Sequence, residues 1–165
     1  MRVGIYAGSF DPITKGHQDI IRRALNIVDR LIVLVVNNPN KKYWFHIDER
    51  EEMILESMES QYRDRIEIHR YEGLLVDFMK ERGVNLLIRG LRAVSDYEYE
   101  MCYAFTNKEL SQGKAETIFI PASREYMYLS SSGVREIAIN QGDISAYVDK
   151  GLEEKIKLRA KELVK

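Results

Sequence analysis

Short apolar runs alternate along this chain with longer stretches in which apolar residues recur at helical spacing. The run Leu31–Val36 is apolar throughout, as is typical of a strand covered on both faces, whereas Ile66–His69 alternates like a strand at the edge of a sheet. Strands and helices in alternation indicate βα units that build a parallel sheet. Strands are predicted at Val3–Tyr6, Leu31–Val36, Ile66–His69, Leu86–Ile88 and Thr117–Ile120.

Amphipathic stretches fill the gaps between the predicted strands. After a first helix that follows the first predicted strand, helices are predicted over about 48–58, 74–82 and 96–110. Two more helices close the chain: one begins at serine caps near Ser132, and one covers 152–164. No linker or repeat interrupts the chain. We therefore expect residues 1–165 to form a single α/β domain on a doubly wound, five-stranded parallel sheet of Rossmann-like type. The first predicted helix places these apolar residues on one side: Ile20, Ile21, Ala24, Leu25 and Val28.

The first predicted strand leads into a turn of small residues and then into a helix. The turn is Ala7–Pro12, and Thr14–His17 stands at the head of the helix. Backbone N–H groups of such a turn and the positive N-terminal end of the helix point into the same space, which is suited to a polyphosphate. A histidine at a helix start is more often a capping or surface residue, but its place after this turn predicts that His17 lies over the phosphates.

Polar and basic residues follow several of the predicted strands. In an open parallel sheet, ligands bind beyond the carboxyl ends of the strands, so these residues are expected to meet at one rim. Cations and donors gathered there would receive several phosphates at once. The segments concerned are Gly8–Phe10, Asn37–Lys42, Arg89–Arg92, Ser123–Arg124 and Ser130–Ser132.

Charge and cysteine content limit the partners. The chain has 25 basic and 26 acidic residues, a formal net charge of −1, which argues against nucleic acid as a partner. The single Cys102 cannot form an internal disulfide, and we see no secretory signal or long apolar span. We therefore expect a cytoplasmic protein without a membrane segment.

Common phosphate and metal motifs are absent from the sequence. Gly4, Gly8 and Gly16 do not make the G-x-G-x-x-G pattern, and no G-K-[ST] follows a glycine loop. The histidines are scattered and the cysteine stands alone, so no zinc site is predicted. We expect no resident metal, and any metal should arrive with a nucleotide.

Several motifs together resemble a known family. Gly8–Pro12 with Thr14-x-Gly16-His17 is similar to the nucleotidyltransferase signature, whose usual ending is H-x-G-H, with Thr14 in place of the first histidine. With Ile88–Ala93, Asp96–Met101 and the later Ser130-Ser131-Ser132-x-x-Arg135, the chain resembles the bacterial phosphopantetheine adenylyltransferases over nearly its whole length. That resemblance implies a nucleotidyltransferase fold, transfer of AMP from ATP to 4'-phosphopantetheine in coenzyme A synthesis, Mg²⁺ bound with ATP, and a homohexamer.

The resemblance also implies roles for particular residues. Ser9 and Phe10 would contact both substrates at the turn. Phosphopantetheine would be bound by Ser9, Lys41 and Arg89, with Leu75 on the third helix touching the pantetheine arm. The residues implied for ATP are Ser9, Phe10, His17, Gly90, Leu91, Arg92, Glu100, Tyr126, Met127, Tyr128, Leu129, Ser130, Ser131 and Ser132.

The chemistry of such a transfer explains the residue types. The acceptor is already a phosphate monoester, mostly dianionic at neutral pH, so its attack on the α-phosphorus of ATP needs no general base and no covalent enzyme intermediate. Repulsion between two anions and charge growing on the departing pyrophosphate call for cations and fixed donors. His17, Lys41 and Arg92 are the predicted catalytic residues.

Two other functions fit parts of the sequence. A sister nucleotidyltransferase that acts on nicotinate mononucleotide or glycerol phosphate would keep the phosphate loops, although Thr14 and Arg89 weigh against it. A noncatalytic nucleotide-sensing module could use the same sheet, because a fold alone does not fix function. The presence of His17, Lys41 and Arg92 together favours catalysis.

Overall fold

The chain builds a five-stranded, fully parallel sheet. A computed structural model describes residues 1–164; Lys165, the last residue of the predicted domain, lies outside the described residues. The strand order is β3-β2-β1-β4-β5, so the chain winds outward from β1 in both directions and the predicted doubly wound sheet is confirmed. The strands are β1 (Val3–Gly8), β2 (Arg30–Val36), β3 (Ile66–Tyr71), β4 (Leu86–Leu91) and β5 (Glu116–Pro121).

Helices connect the strands and close the chain, as the sequence predicts. Short 3₁₀ turns at Ser60–Arg65, Arg124–Tyr126 and Lys150–Leu152 complete the connections. No helix within residues 1–164 is both long and apolar enough to cross a membrane. The helices are α1 (Lys15–Ala24), α2 (Ile47–Ser57), α3 (Leu75–Arg82), α4 (Val94–Leu110), α5 (Ser131–Ile139) and α6 (Glu153–Leu163).

Each face of the sheet carries its own apolar core. Tyr6, Val33 and Ile88 face the core that α1, α2, α5 and α6 cover, whereas Ile5 and Leu87 face the core under α3. This division follows from the strand period, since successive side chains point to opposite faces. The predicted character of β2 is confirmed, because it is buried between β1 and β3, and β3 is an edge strand.

The centre of the sheet determines where a ligand can bind. β1 and β4 are neighbours, with Tyr6 opposite Ile88, yet β1 is followed by a helix on one face and β4 by a helix on the other. The two connections therefore diverge and leave a crevice beyond the carboxyl ends of β1 and β4.

Candidate active site

The head of α1 is closed by a reciprocal pair of hydrogen bonds between Thr14 and His17. The backbone N–H of His17 donates to Oγ1 of Thr14 at 3.4 Å, and the backbone N–H of Thr14 donates to Nδ1 of His17 at 3.0 Å. This is a capping box with histidine in the place that glutamate or glutamine usually takes. His17 is therefore a capping residue that also lies at the crevice, where the sequence predicts that it meets the phosphates.

The same contacts fix the protonation of His17. Burial, together with the neighbouring cations Arg92 and Arg89, lowers the pKa of His17 to about 4. The imidazole is neutral at physiological pH. Because Nδ1 accepts the Thr14 N–H, the single ring proton belongs to Nε2, which makes that nitrogen a hydrogen-bond donor.

Phe10 holds the turn in a strained conformation. Its φ is +47°, in the left-handed region that a bulky residue seldom adopts, and its side chain is fully buried. The ring lies edge-on to His17, with 5.1 Å between ring centroids, and against the Cα of Gly8, where an added Cβ would lie 3.0 Å from the ring. A side chain at position 8 would therefore crowd the Phe10 ring, which restrains the imidazole from one side.

Asp11 ties three parts of the site together. Its Oδ1 accepts the backbone N–H of Phe45 at 3.0 Å, and its Oδ2 accepts the backbone N–H of Trp44 at 3.0 Å and Nη1 of Arg135 at 3.2 Å. The carboxylate is buried and engaged by donors from the β2–α2 loop and from α5. Asp11 therefore acts as an anchor for these loops and is a poor candidate for a metal ligand.

Arg50 on α2 fastens the turn to the loop that carries Lys41. Its guanidinium is buried and donates to the carbonyl oxygens of Ser9 (2.7 Å) and Phe45 (3.1 Å) and to the side chain of Asn37. The sequence interpretation missed this residue. The sequence pattern that could have revealed Arg50 is the position of a basic residue on the same side of a helix as three residues that are buried, namely Met53, Ile54 and Ser57.

Arg89 and Glu100 form a bidentate ion pair on the α4 side of the sheet. Nε and Nη2 of Arg89 donate to the two carboxylate oxygens of Glu100 at 2.8 and 2.7 Å, and Nη1 donates to the Ala7 carbonyl at 2.7 Å. The pair is nearly enclosed. Glu100, for which the resemblance implies contact with ATP, therefore orients the guanidinium of Arg89, for which it implies contact with the acceptor.

Arg92 joins the end of β4 to the segment before α5. Its Nε donates to Asp96 at 2.9 Å, and its Nη1 donates to the Leu129 carbonyl at 2.9 Å. Leu129 and Tyr126 also flank Gly16 at the head of α1. The residues predicted for ATP on β4, on α1 and before α5 are thus brought to one edge of the crevice.

The three serines Ser130–Ser132 lie at the same edge. Ser130 caps α5 by accepting the Gly133 N–H at 3.0 Å, and the Ser131 hydroxyl donates to the Pro12 carbonyl at 2.8 Å. Ser132 lies exposed beside Arg135. Tyr128 is 88% exposed and Met127 half-buried, so their side chains are less constrained than the serines.

The residues predicted to bind the acceptor lie on different segments of the chain. Lys41 is exposed on the β2–α2 loop, and Ser9 is half-buried on the turn. Leu75 is buried at the start of α3, in the core on the Arg89 side of the sheet. No group of three or more metal-ligating side chains occurs within the part of the chain that the structure describes.

Comparison with known proteins identifies the family. The cytidylyltransferase-like family model matches residues 5–137. The phosphopantetheine adenylyltransferase of Fusobacterium nucleatum subsp. nucleatum is 54% identical over 162 residues, covering 98% of each chain. That of Thermotoga neapolitana is 48% identical over 159 residues, covering 94% of this chain and 97% of its own.

The chain belongs to the phosphopantetheine adenylyltransferase family. It is therefore an enzyme, a nucleotidyltransferase, as the sequence motifs predict. The departure at Thr14 from the common H-x-G-H ending is thus compatible with membership of the phosphopantetheine adenylyltransferase family, in which Thr14 closes the capping box around His17.

Solved structures of lower identity share the fold of this phosphopantetheine adenylyltransferase family member. A bifunctional NMN adenylyltransferase/ADP ribose pyrophosphatase from Francisella tularensis, complexed with AMP and a manganese ion, gives a TM-score of 0.68 at 16% identity, covering 99% of this chain and 49% of that one. A Vibrio parahaemolyticus protein described as a nicotinate-nucleotide adenylyltransferase gives 0.67 at 15%, covering 96% and 93%. These likenesses support the Rossmann-like fold.

Proposed function

We propose that this enzyme transfers the adenylyl group of ATP to 4'-phosphopantetheine, forming dephospho-coenzyme A and pyrophosphate in coenzyme A biosynthesis. The observation that carries the proposal is the neutral His17, whose Nε2–H is held as a donor at the head of α1, beside the glycine turn. With Arg89 and Arg92 nearby, this end of the sheet is suited to stabilising negative charge on phosphate.

The reaction proceeds by in-line attack of the acceptor phosphate on the α-phosphorus of ATP. One oxygen of the acceptor forms the new P–O bond, and the bond from the α-phosphorus to the bridging oxygen breaks as pyrophosphate leaves. The acceptor needs no base, and His17 in its Nε2–H form has no free acceptor nitrogen to serve as one. His17 therefore stabilises charge as a hydrogen-bond donor, and no covalent enzyme intermediate forms.

The ATP side comprises residues from three chain segments. His17 lies at α1, Gly90–Arg92 at the end of β4, and Tyr126–Ser132 before and at the start of α5. The hydrogen bond from Arg92 to the Leu129 carbonyl holds two of these segments in register. Ser9 and Phe10 contribute from the turn, whereas Glu100 orients Arg89, which belongs to the acceptor side.

The acceptor side uses Arg89, Lys41, Ser9 and Leu75. Arg89 has Nη1 and Nη2 protons beyond those in its three short hydrogen bonds, so it can receive a phosphate without losing Glu100. Lys41 is exposed and can reach toward an anion from its loop. Holding two reactants in line can lower the barrier by about 7 to 11 kcal/mol.

Magnesium fits this site as a companion of ATP. The Asp11 carboxylate is already engaged by three donors, so the residues suit a cation held chiefly by phosphate oxygens and water. Such an ion, when bound, neutralises part of the triphosphate charge.

The outer surface of α4 suggests how the enzyme assembles. This helix exposes several large apolar side chains, which a contact with another chain would bury. We propose that chains associate through it into a homohexamer, that residues 1–165 act as one domain, and that the enzyme works in the cytoplasm. The exposed residues are Val94, Tyr97, Tyr99, Phe105 and Leu110.

Three acceptors tested in parallel decide the function. Purified enzyme is incubated with Mg-ATP and 4'-phosphopantetheine, nicotinate mononucleotide or glycerol 3-phosphate; pyrophosphate release is measured and the product identified by mass. Release only with phosphopantetheine supports the proposal. Release with another acceptor assigns the site to a sister reaction, and ATP binding without release from any acceptor favours a nucleotide sensor.

A further inference from the structure

Tyr6 brings a hydroxyl to the end of β1, beside His17 and Gly90. It is the fourth residue of β1, opposite Ile88 of β4, and is only 6% exposed. Its ring lies against Phe10 and His17, with centroid distances of 5.5 and 6.5 Å. The aromatic ring is thus part of the packing that holds the catalytic imidazole.

The hydroxyl itself leans toward the crevice. It lies 3.9 Å from the position that a Cβ on Gly90 would occupy, two residues along β4 from the strand partner of Tyr6. Among residues 1–164 the hydroxyl has no hydrogen-bond partner, and no fully enclosed side-chain polar atom there is left unsatisfied. The hydroxyl oxygen is therefore the part of the side chain that reaches open space.

The surroundings keep this hydroxyl protonated. Burial raises the pKa of Tyr6, outweighing the opposing effect of Arg89 and Arg92, while Glu100 raises it as well. A protonated phenol between cations can serve an anionic ligand only as a hydrogen-bond donor.

We propose that Tyr6 is a further ATP-binding residue, whose hydroxyl donates a hydrogen bond to an oxygen of the ATP phosphate chain. The side chain lies on the α1 face, with His17 and Gly90, whereas Arg89 points to the α4 face. The nucleotide and not the acceptor is therefore its partner. This inference rests on the proposed function, because it names a contact within the same site.

Tyr6→Phe tests the contact, since it removes the hydroxyl and keeps the ring. Tyr62→Phe is the matched control, because Tyr62 packs on the same core from the 3₁₀ turn before β3. For wild type and both variants, kcat and KM are measured for ATP and phosphopantetheine, ATP binding is measured by calorimetry, and Tm is measured without ligand. Calorimetry with ATP alone measures how the loss of the hydroxyl changes ATP affinity, whichever acceptor the enzyme uses.

The expected result is a loss of about 10-fold or more in kcat/KM for ATP in Tyr6→Phe, as for a hydrogen bond to a charged group, with Tm unchanged. Tyr62→Phe should match wild type. The proposal is overturned if Tyr6→Phe keeps kcat/KM and affinity for ATP within two-fold, roughly the scatter of such measurements. A rise in KM for phosphopantetheine alone, or a lower Tm that accounts for the lost activity, overturns it as well.

Discussion

The backbone N–H of Thr14 donates to Nδ1 of His17 at 3.0 Å, and the backbone N–H of His17 donates to Oγ1 of Thr14 at 3.4 Å. This one pair begins α1 and also determines which ring nitrogen of His17 carries the proton. A substitution at His17 therefore has two separable effects, on helix stability and on charge stabilisation at phosphate.

His17→Ala and His17→Gln separate these effects. Glutamine is a normal capping-box residue at this helix position, so His17→Gln should keep most of the free energy of unfolding, whereas His17→Ala should lose about 1 kcal/mol. Both should lower kcat by about 100- to 1,000-fold, as for loss of one preorganised donor, and leave KM for ATP within a few-fold. Steady-state kinetics give kcat and KM, and urea unfolding gives the free energy of unfolding. Equal losses in kcat and in ATP affinity would contradict the role.

Acid should destabilise the wild type through His17. Its pKa is about 4 in the folded chain and about 6.5 in the unfolded chain, so between these values only the unfolded chain binds the proton. The stability that the neutral ring contributes is present above pH 6.5 and is lost as pH falls toward 4. From pH 7 to pH 5, wild type should lose about 2 kcal/mol more free energy of unfolding than His17→Gln. Parallel pH profiles for the two proteins would disprove this.

Glu100→Gln should weaken the fold through Arg89. The substitution removes the charge that balances a nearly enclosed guanidinium, and breaking such a pair costs about 3 kcal/mol. Glu98→Gln, on the exposed side of the same helix, is the control and should change stability by less than about 0.5 kcal/mol. In Glu100→Gln, KM should rise more for phosphopantetheine than for ATP. If both variants unfold at the same urea concentration, the ion pair does not hold Arg89.

Lys41→Ala should impair catalysis without changing the stability of the fold. Lys41 is exposed, so its removal should change the free energy of unfolding by less than about 0.5 kcal/mol. The loss of a cation at the phosphates should lower kcat/KM for phosphopantetheine by about 100-fold. Lys42→Ala, the exposed neighbour in the same loop, serves as the control. Similar kinetics for the two variants would remove Lys41 from the site.

Assembly should depend on the apolar surface of α4. Phe105 is 61% exposed there, and Leu158 on α6 is similarly exposed at 52%. Phe105→Glu would place a charge in the proposed contact and should lower the molecular mass measured by light scattering, because burying an unpaired charge is costly. Leu158→Glu should leave the mass unchanged. A wild type that is already monomeric would refute the assembly.

Patterns among neighbouring residues predicted the fold more completely than they predicted the contacts within the site. The strands, the start of α1 at Thr14–His17 and the serine cap of α5 follow from patterns a few residues long, and all are confirmed. The anchors of the site depend on distant partners: Arg50 contacts Ser9 across 41 positions, and Arg135 contacts Asp11 across 124. Which oxygen atom a buried guanidinium contacts depends on how distant segments pack in the folded chain. These contacts could therefore not be predicted from local sequence patterns.

Arg89 points to the α4 face of the sheet and His17 to the α1 face, although both lie at the same end. The proposed binding surfaces for acceptor and nucleotide therefore involve different helices, although both use the turn after β1 and the end of β4. Substitutions on α3 would therefore change the proposed acceptor side without changing the residues proposed for the nucleotide. The fold thus lets evolution exchange one acceptor for another, and proteins named for other acceptors share it.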